Sequence, residues 1–281
     1  MAENNSNETI KINLGIELKL LLEAIFLKYG YDFRNYSKAH LKRRVASALG
    51  KNKLENISQL QHQMLYNEEV FQSLLFDLSV NVTEMFRDPL FYKALQEKIF
   101  PLLNTYPYLK IWHAGCASGE EVYSMAILLK EEKLYERSQI YATDFNQAIL
   151  KKAAEGIYPI DKVKEYTDNY NKAGGANSFS DYYYAAYTSV KLDKSLKKNI
   201  VFSDHNLVTD GIFGDMNVII CRNVLIYFNK VLQDKVISFF YESLVPGGFL
   251  CLGSKESLAG FECAQCFEVI DERQKIFRKK Y

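Results

Sequence analysis

The sequence predicts an α/β protein, with a mostly parallel sheet covered by helices on both faces and a small all-α domain in front of it. Two observations carry this expectation. From Leu14 to about Leu103 apolar residues recur at helical spacing and β-branched runs are absent, as in LGIELKLLLEAIFLKYG and EEVFQSLLFDLSV. After Pro101 short apolar strands alternate with helical segments, the pattern of a buried parallel sheet whose ligands gather at the strand C-terminal ends.

In chain order, residues 1–12 are polar and are read as a disordered tail. Residues 13–92 form the helical domain plus a linker. Within it Ser37 is placed to cap a helix that Gly50 ends, with Leu41, Val45 and Ala48 on one face and Lys38, Lys42, Arg43 and Arg44 spread over the rest. Residues 93–281 form the α/β domain. Its strands are LKIWHA, QIYATD, NIVFSD, MNVIIC and GGFLCLG, and its helices run from Glu120 to about Glu132, over Gln147 to Glu155 and over Lys230 to Leu244. The last segment, FEVIDERQKIFRKK, has two extended pieces that can add an antiparallel edge hairpin. An insert at about 166–198, with the tyrosine-rich run DYYYAAYTSVKL, is too long for an ordinary connection. Either it binds something or it packs over the sheet.

Composition excludes several classes. Thirty-five Lys and Arg against 34 Asp and Glu give a net charge of +1, so no global field draws the chain to nucleic acid. No apolar run approaches the roughly 18 residues of a membrane span, and the polar start lacks a signal-peptide core. A cytoplasmic protein without membrane insertion is expected. Five scattered cysteines do not read as a disulfide framework, and the single CxxC of Cys263 and Cys266 lacks the second half of a zinc site, so no metal is expected.

The strand ends suggest a ligand. Gly115 and Gly119 bracket the first strand-to-helix turn, where a missing Cβ admits a close approach. Their register is G-x-x-x-G, and Glu120 and Glu121 follow where a dinucleotide site needs bare amides for a pyrophosphate. A ligand end carrying an ammonium suits this loop better. Asp144 closes the second strand, where an acid can accept both hydroxyls of a ribose. Asn206 and the backbone of Leu207 can edge an adenine. S-adenosylmethionine has these parts and no phosphate.

NVTEMFRDP (81 to 89), AGCASGEEVYS (114 to 124), YATDFN (141 to 146), HNL (205 to 207), CRNVLIYF (221 to 228) and LVPGGFLCLGSKESL (244 to 258) resemble, in order and spacing, the CheR-type chemotaxis-receptor glutamate O-methyltransferases. The resemblance implies a Rossmann-like class I methyltransferase domain behind a small helical domain. It also implies methyl transfer from S-adenosylmethionine to receptor glutamates, with S-adenosylhomocysteine as the other product. By motif, Asn81, Thr83 and Arg87 would reach the cofactor and active site, and Glu121 would bind the methionine end. Asp144 would hold the ribose, Asn206 and Leu207 would lie by the adenine, and Arg222 and Asn223 would line the pocket. Arg87 and Tyr227 would orient the substrate. The partner implied is the acidic methylation helix of a chemoreceptor, which Lys38, Lys42, Arg43 and Arg44 could dock. Locally, Asp88 as N-cap and Pro89 at the first helical position would start a helix just after Arg87.

This chain has Ala117 and Ser118 where the family has Ser-Thr before GEE, Val122 where it has Pro, and Met85 and Phe86 where it has two aromatics. The family's counterpart of the insert is a small β subdomain that tethers a receptor tail peptide in some members. A glutamate carboxylate is ionised at neutral pH and needs no general base. Competing readings are a methyltransferase with another acceptor, an S-adenosylmethionine sensor or scaffold without turnover, and a nicotinamide oxidoreductase, which the two acids of the loop disfavour.

Overall fold

A computed structural model describes residues 2–79 and 83–281, with side chains from residue 12 onward. The chain divides into two compact units, residues 1–80 with 227–232, and residues 81–226 with 233–281. The boundary falls earlier than the expected 92/93, because the helical turns after Pro89 bury Phe91, Tyr92, Leu95 and Phe100 in the core of the α/β unit.

The helical unit contains α1 (Ala2–Tyr29), α2 (Lys38–Asn52), α3 (Ile57–Tyr66) and α4 (Glu68–Leu78). Helical backbone from Ala2 replaces the disordered tail expected over residues 1–12, since adding turns to an existing helix avoids the cost of nucleation. Leu21, Ile25, Leu41, Val45, Leu60, Met64 and Leu74 are buried in this unit. In α2 the expected face of Leu41, Val45 and Ala48 is buried, together with His40. The ends of α2 differ from expectation. Ser37 occupies the N-cap without a side-chain bond, and the helix runs past Gly50 to Asn52, where Lys53 takes the left-handed conformation (φ 54°). Its N–H bonds back to Gly50, so a backbone bond ends the helix where a glycine at the stop was expected.

In the second unit come α5 (Pro89–Ala94), α6 (Phe100–Leu103), α7 (Glu120–Glu131), α8 (Gln147–Glu155), α9 (Val163–Lys172) and α10 (Lys230–Ser243, whose first turn belongs to the helical unit). The strands are β1 (Leu109–Ala114), β2 (Ser138–Asp144), β3 (Ile157–Pro159), β4 (Tyr183–Ala186), β5 (Ser189–Leu192), β6 (Ile200–Asp204), β7 (Met216–Cys221), β8 (Leu244–Leu252), β9 (Phe267–Asp271) and β10 (Ile276–Lys279). Among the described residues one seven-stranded sheet runs β6-β2-β1-β7-β8-β10-β9. The first five strands are parallel, and β10 is antiparallel to both its neighbours, giving the edge hairpin expected of the C-terminal segment. Alternation along β1 sends Trp112 toward Phe213, Phe239 and Phe240, while Ile111 joins the opposite core, under α7. The order turns about β1, with β2 and β6 on one side and β7 and β8 on the other, so a crevice is expected at the C-terminal ends of β1 and β7.

The insert is larger than expected, and of the two readings weighed for it the structure shows packing. It begins at β3, which joins β5 and β4 in a separate antiparallel sheet ordered β3-β5-β4. Tyr184 and Tyr187 at the β4–β5 turn are exposed. Its helical half instead buries Tyr166, Tyr170, Phe179 and Tyr182 in the core of the unit.

Candidate functional site

After Ala114 the chain leaves β1 through Gly115 (φ 79°), and Gly119 (φ 89°) precedes α7. A Cβ on Gly115 would lie 2.7 Å from Cγ2 of Val224 in the loop after β7, and one on Gly119 would lie 3.0 Å from Cβ of Ala153 in α8. Both glycines are therefore needed for the approach of neighbouring elements, whatever ligand they admit. The Thr143 carbonyl at the end of β2 accepts from Gly115 N–H and Cys116 N–H, each at 2.9 Å. Asp144 completes the tie, with Oδ2 accepting from Ala117 N–H at 3.0 Å and Oδ1 from Asn146 N–H at 3.0 Å. Burial pushes the Asp144 carboxyl up to about 6 against the pull of those two amides.

The two acids that follow Gly119 have separate environments. Glu120 turns inward, accepts from the Ser118 hydroxyl at 2.7 Å, and is pushed by burial up to about 7. Glu121 faces His113 and Arg222. Its Oε1 lies 3.2 Å from His113 Nδ1 and its Oε2 accepts from Arg222 Nη1 at 2.9 Å. Burial raises its pKa, but the His113 hydrogen bond and the Arg222 charge outweigh that and hold it below the ordinary carboxylate value.

Arg222, directly after β7, is the hub. Besides Glu121 its guanidinium donates to Asp88 Oδ2 at 2.6 Å and to the Arg87 carbonyl at 3.3 Å, and it lies 4.1 Å over the Phe91 ring. Its side chain is 2% exposed, and it remains a cation because Glu121 and Asp88 offset the cost of burial. Asp88, expected as an N-cap, makes no side-chain cap bond and takes a left-handed conformation (φ 57°). Helix α5 still starts at Pro89, but the Asp88 carboxylate is aimed at Arg222. Phe86 is also left-handed (φ 54°), a conformation costing a side-chain-bearing residue about 1–2 kcal/mol. Full burial of its ring offsets that cost.

The structure thus brings Gly115, Glu121, Arg222, the Arg87 backbone and Asp144 to the adjoining ends of β1, β2 and β7. Thr83 is half-buried in the same unit, and Asn81 lies outside the described residues. Asn206 is occupied locally, its side chain accepting from Val208 N–H and its N–H donating to Asp210, while Leu207 is half-buried beside it. Asn223 is left-handed (φ 61°). Tyr227 belongs to the helical unit, where its ring centroid lies 4.6 Å from that of His40 and its carbonyl accepts from Ser37 N–H. On α2, Lys38, Lys42 and Arg43 are exposed and Arg44 is half-buried. If these four residues dock an acidic segment, reversing their charges should raise the KM for a protein substrate at least fivefold, with S-adenosylhomocysteine affinity unchanged in calorimetry.

Two residues of the site were not among the sequence candidates. Glu256, in GSKESL, is buried, and its carboxylate accepts from the N–H groups of Asn223 (3.0 Å), Val224 (2.9 Å), Ile226 (3.3 Å) and Gly253 (2.5 Å). It ties the loop after β7 to the loop after β8. Its signal in the sequence is an acid just past the end of a buried strand. His113, buried within β1, is the partner of Glu121, and a polar residue near the C-terminal end of a mostly apolar strand was the available sign.

The strand order with its antiparallel β10 and the carboxylates around a glycine turn define a Rossmann-like methyltransferase fold joined to an all-α domain. Residues 81–276 match the family described as "CheR methyltransferase, SAM binding domain", and residues 16–79 match "CheR methyltransferase, all-alpha domain". The chain belongs to the CheR methyltransferase family. It is 50% identical over 271 residues to Cher3 of Pseudomonas putida, covering 96% of this chain and 99% of that protein. It is 32% identical to chemotaxis protein methyltransferase 1 of Vibrio cholerae (82% of this chain, 86% of that protein) and 29% identical to the chemotaxis protein methyltransferase of Listeria monocytogenes (82% and 85%). Among the described residues no helix is long and apolar enough to cross a membrane, and no three His, Cys, Asp or Glu residues are grouped to hold a metal ion. Cys263 and Cys266 are free thiols, and Cys263 Sγ lies 3.4 Å from the Ser238 hydroxyl.

Proposed function

We propose that the protein transfers the methyl group of S-adenosylmethionine to glutamate side chains of chemotaxis receptors, giving glutamate methyl esters and S-adenosylhomocysteine. The observation that carries this reading is the set of three carboxyls at the β1 and β2 ends. Glu120 and Asp144 are buried with raised pKa values, and Glu121 is held ionised by Arg222. Such a site penalises a phosphate and favours a ligand bearing an ammonium and a sulfonium. The names of the Vibrio and Listeria relatives support a chemotaxis receptor as acceptor.

When bound, S-adenosylmethionine supplies an electrophilic methyl on sulfur. The chain's residues then have three tasks. Glu121 and Asp144 hold the methionine and ribose ends, and Asn206 and Leu207 edge the adenine. Arg87 holds one oxygen of the substrate glutamate while the other attacks the methyl carbon in line with the breaking C–S bond. Tyr227 sets the angle of that carboxylate. No proton is transferred, since the attacking group is already an anion at neutral pH, so catalysis rests on alignment and exclusion of water.

The test is incubation with methyl-labelled S-adenosylmethionine and receptor-containing bacterial membranes. Label on a receptor band that mild base releases as methanol is expected. Base-stable label would mean another acceptor, and cofactor binding without any transfer would mean a sensor. Arg87→Ala and Tyr227→Phe should each lower kcat by roughly tenfold or more with cofactor affinity retained within a few-fold. Full turnover in both variants would sink these assignments.

A further inference from the structure

The loop of residues 83–88, which carries Arg87, is gripped from outside the cofactor site. Glu84, Met85 and Phe86 each meet a residue of α9, the helix of the insert. The Glu84 carboxyl shares a hydrogen bond with Glu165, the Met85 carbonyl accepts from Asn169 Nδ2 at 3.2 Å, and the Phe86 ring centroid lies 5.2 Å from that of Tyr170. Glu165 and Asn169 are four residues apart and share a side of the helix, and Tyr170, one residue on, meets the loop from the adjoining side. The cage around Phe86 is completed by Tyr92 at 5.2 Å and Phe179 at 6.3 Å, the latter also from the insert.

The other side of the loop is held by the sheet. Phe86 N–H donates to the Ser124 hydroxyl at 2.9 Å, which in turn donates to the Glu120 carbonyl at 2.7 Å, and Asp88 is fixed by Arg222. With two left-handed residues at 86 and 88, the loop keeps this shape only while both sides hold it. The grip of α9 is itself braced. Lys162 pairs with Glu165 at 3.0 Å, and Glu131 of α7 accepts from the hydroxyls of Tyr170 and Tyr182.

We propose that α9 positions the catalytic loop: Asn169 and the Tyr170–Phe179 ring pair act through residues 85 and 86 to set the place of Arg87. The inference deepens the methyltransferase reading and rests on it. The insert then has a task in the same reaction.

The test is a double-mutant cycle on the full-length protein, using Asn169→Ala and Arg87→Lys. Asn169→Ala alone should lower kcat by roughly tenfold, since small misplacements of an aligned group are costly, with the thermal midpoint near that of the parent protein. In the Arg87→Lys background the same change should cost less than twofold, because the group being positioned has already been altered. Phe179→Leu, which loosens the cage and touches no hydrogen bond of the loop, should repeat the pattern. Additive losses in both cycles, or unchanged kcat in Asn169→Ala and Phe179→Leu, would overturn the positioning role. Full activity of Arg87→Lys and Arg87→Ala would remove Arg87 from the reaction, and that result would overturn the parent reading and this inference together.

Discussion

Arg222→Met should lower the stability of the protein by about 3 kcal/mol and weaken S-adenosylhomocysteine binding by at least tenfold. The side chain is 2% exposed and its partner Glu121 is 18% exposed, so removing the cation leaves a carboxylate inside the unit with the His113 ring as its described hydrogen-bond partner. Asp88 is 41% exposed and contributes little to the loss, because water can replace its partner. The stronger consequence is geometric. Without Arg222 the ionic link from Asp88 to Glu121 is lost, and the carboxylate expected to meet the ligand ammonium loses its orientation. Urea unfolding measures the first effect and calorimetry the second. Arg222→Met combined with Glu121→Gln should regain part of the stability but none of the affinity. If the double variant were less stable than Arg222→Met, unpaired charge would not be the cause.

Ligand affinity should rise with pH by roughly tenfold or more between pH 5.5 and 8. Burial raises Glu120 to about 7 and Asp144 to about 6, so both carry protons over part of this range in the free protein. A cationic ligand favours their ionised forms, and binding below pH 7 must release protons. The stability of the free protein should move in the opposite direction. A carboxyl whose folded pKa lies above its unfolded value stabilises the fold fully below the unfolded value, near 4.5, and that contribution is lost as pH climbs through 6 and 7. For Glu120 the change is about 3 kcal/mol. Glu121 has the opposite sign: its pKa is held low, so its contribution is present above about pH 4.5 and is lost as pH falls through its folded value. Calorimetry at several pH values in buffers of different ionisation enthalpy reads the protons released. Glu120→Gln should flatten both profiles above pH 6, and an unchanged slope in that variant would assign the linkage elsewhere.

Much of the fold was legible because its signals are local. LKIWHA and MNVIIC are apolar runs too short for helices, the helices after Gly119 and Asn146 start where their caps stand, and the C-terminal hairpin shows as two extended pieces around a charged turn. The candidate site was legible as far as each group stands at a strand end. Asp144 could be read that way, and so could the carboxylates after Gly119. What those carboxylates touch could not be read. Glu121 and Arg222 are 101 residues apart, and Glu256 gathers amides about thirty residues before it. Local cues also misjudged some ends. Gly50 looked like a stop for α2, but the left-handed residue is Lys53, and Asp88 looked like a cap and is an ion-pair partner.

By itself the sequence determined the strand and helix succession, the glycine turn with its acids, and membership of a family whose motifs recur at fixed spacing. These depend on side-chain periodicity and turn chemistry within a few residues. Only the tertiary structure decided that Arg222 and His113 hold Glu121, that Glu256 organises the loop after β7, and that the insert grips the loop of Arg87. Each is a contact between segments far apart in the chain, set by which strands lie side by side, and no local pattern encodes that.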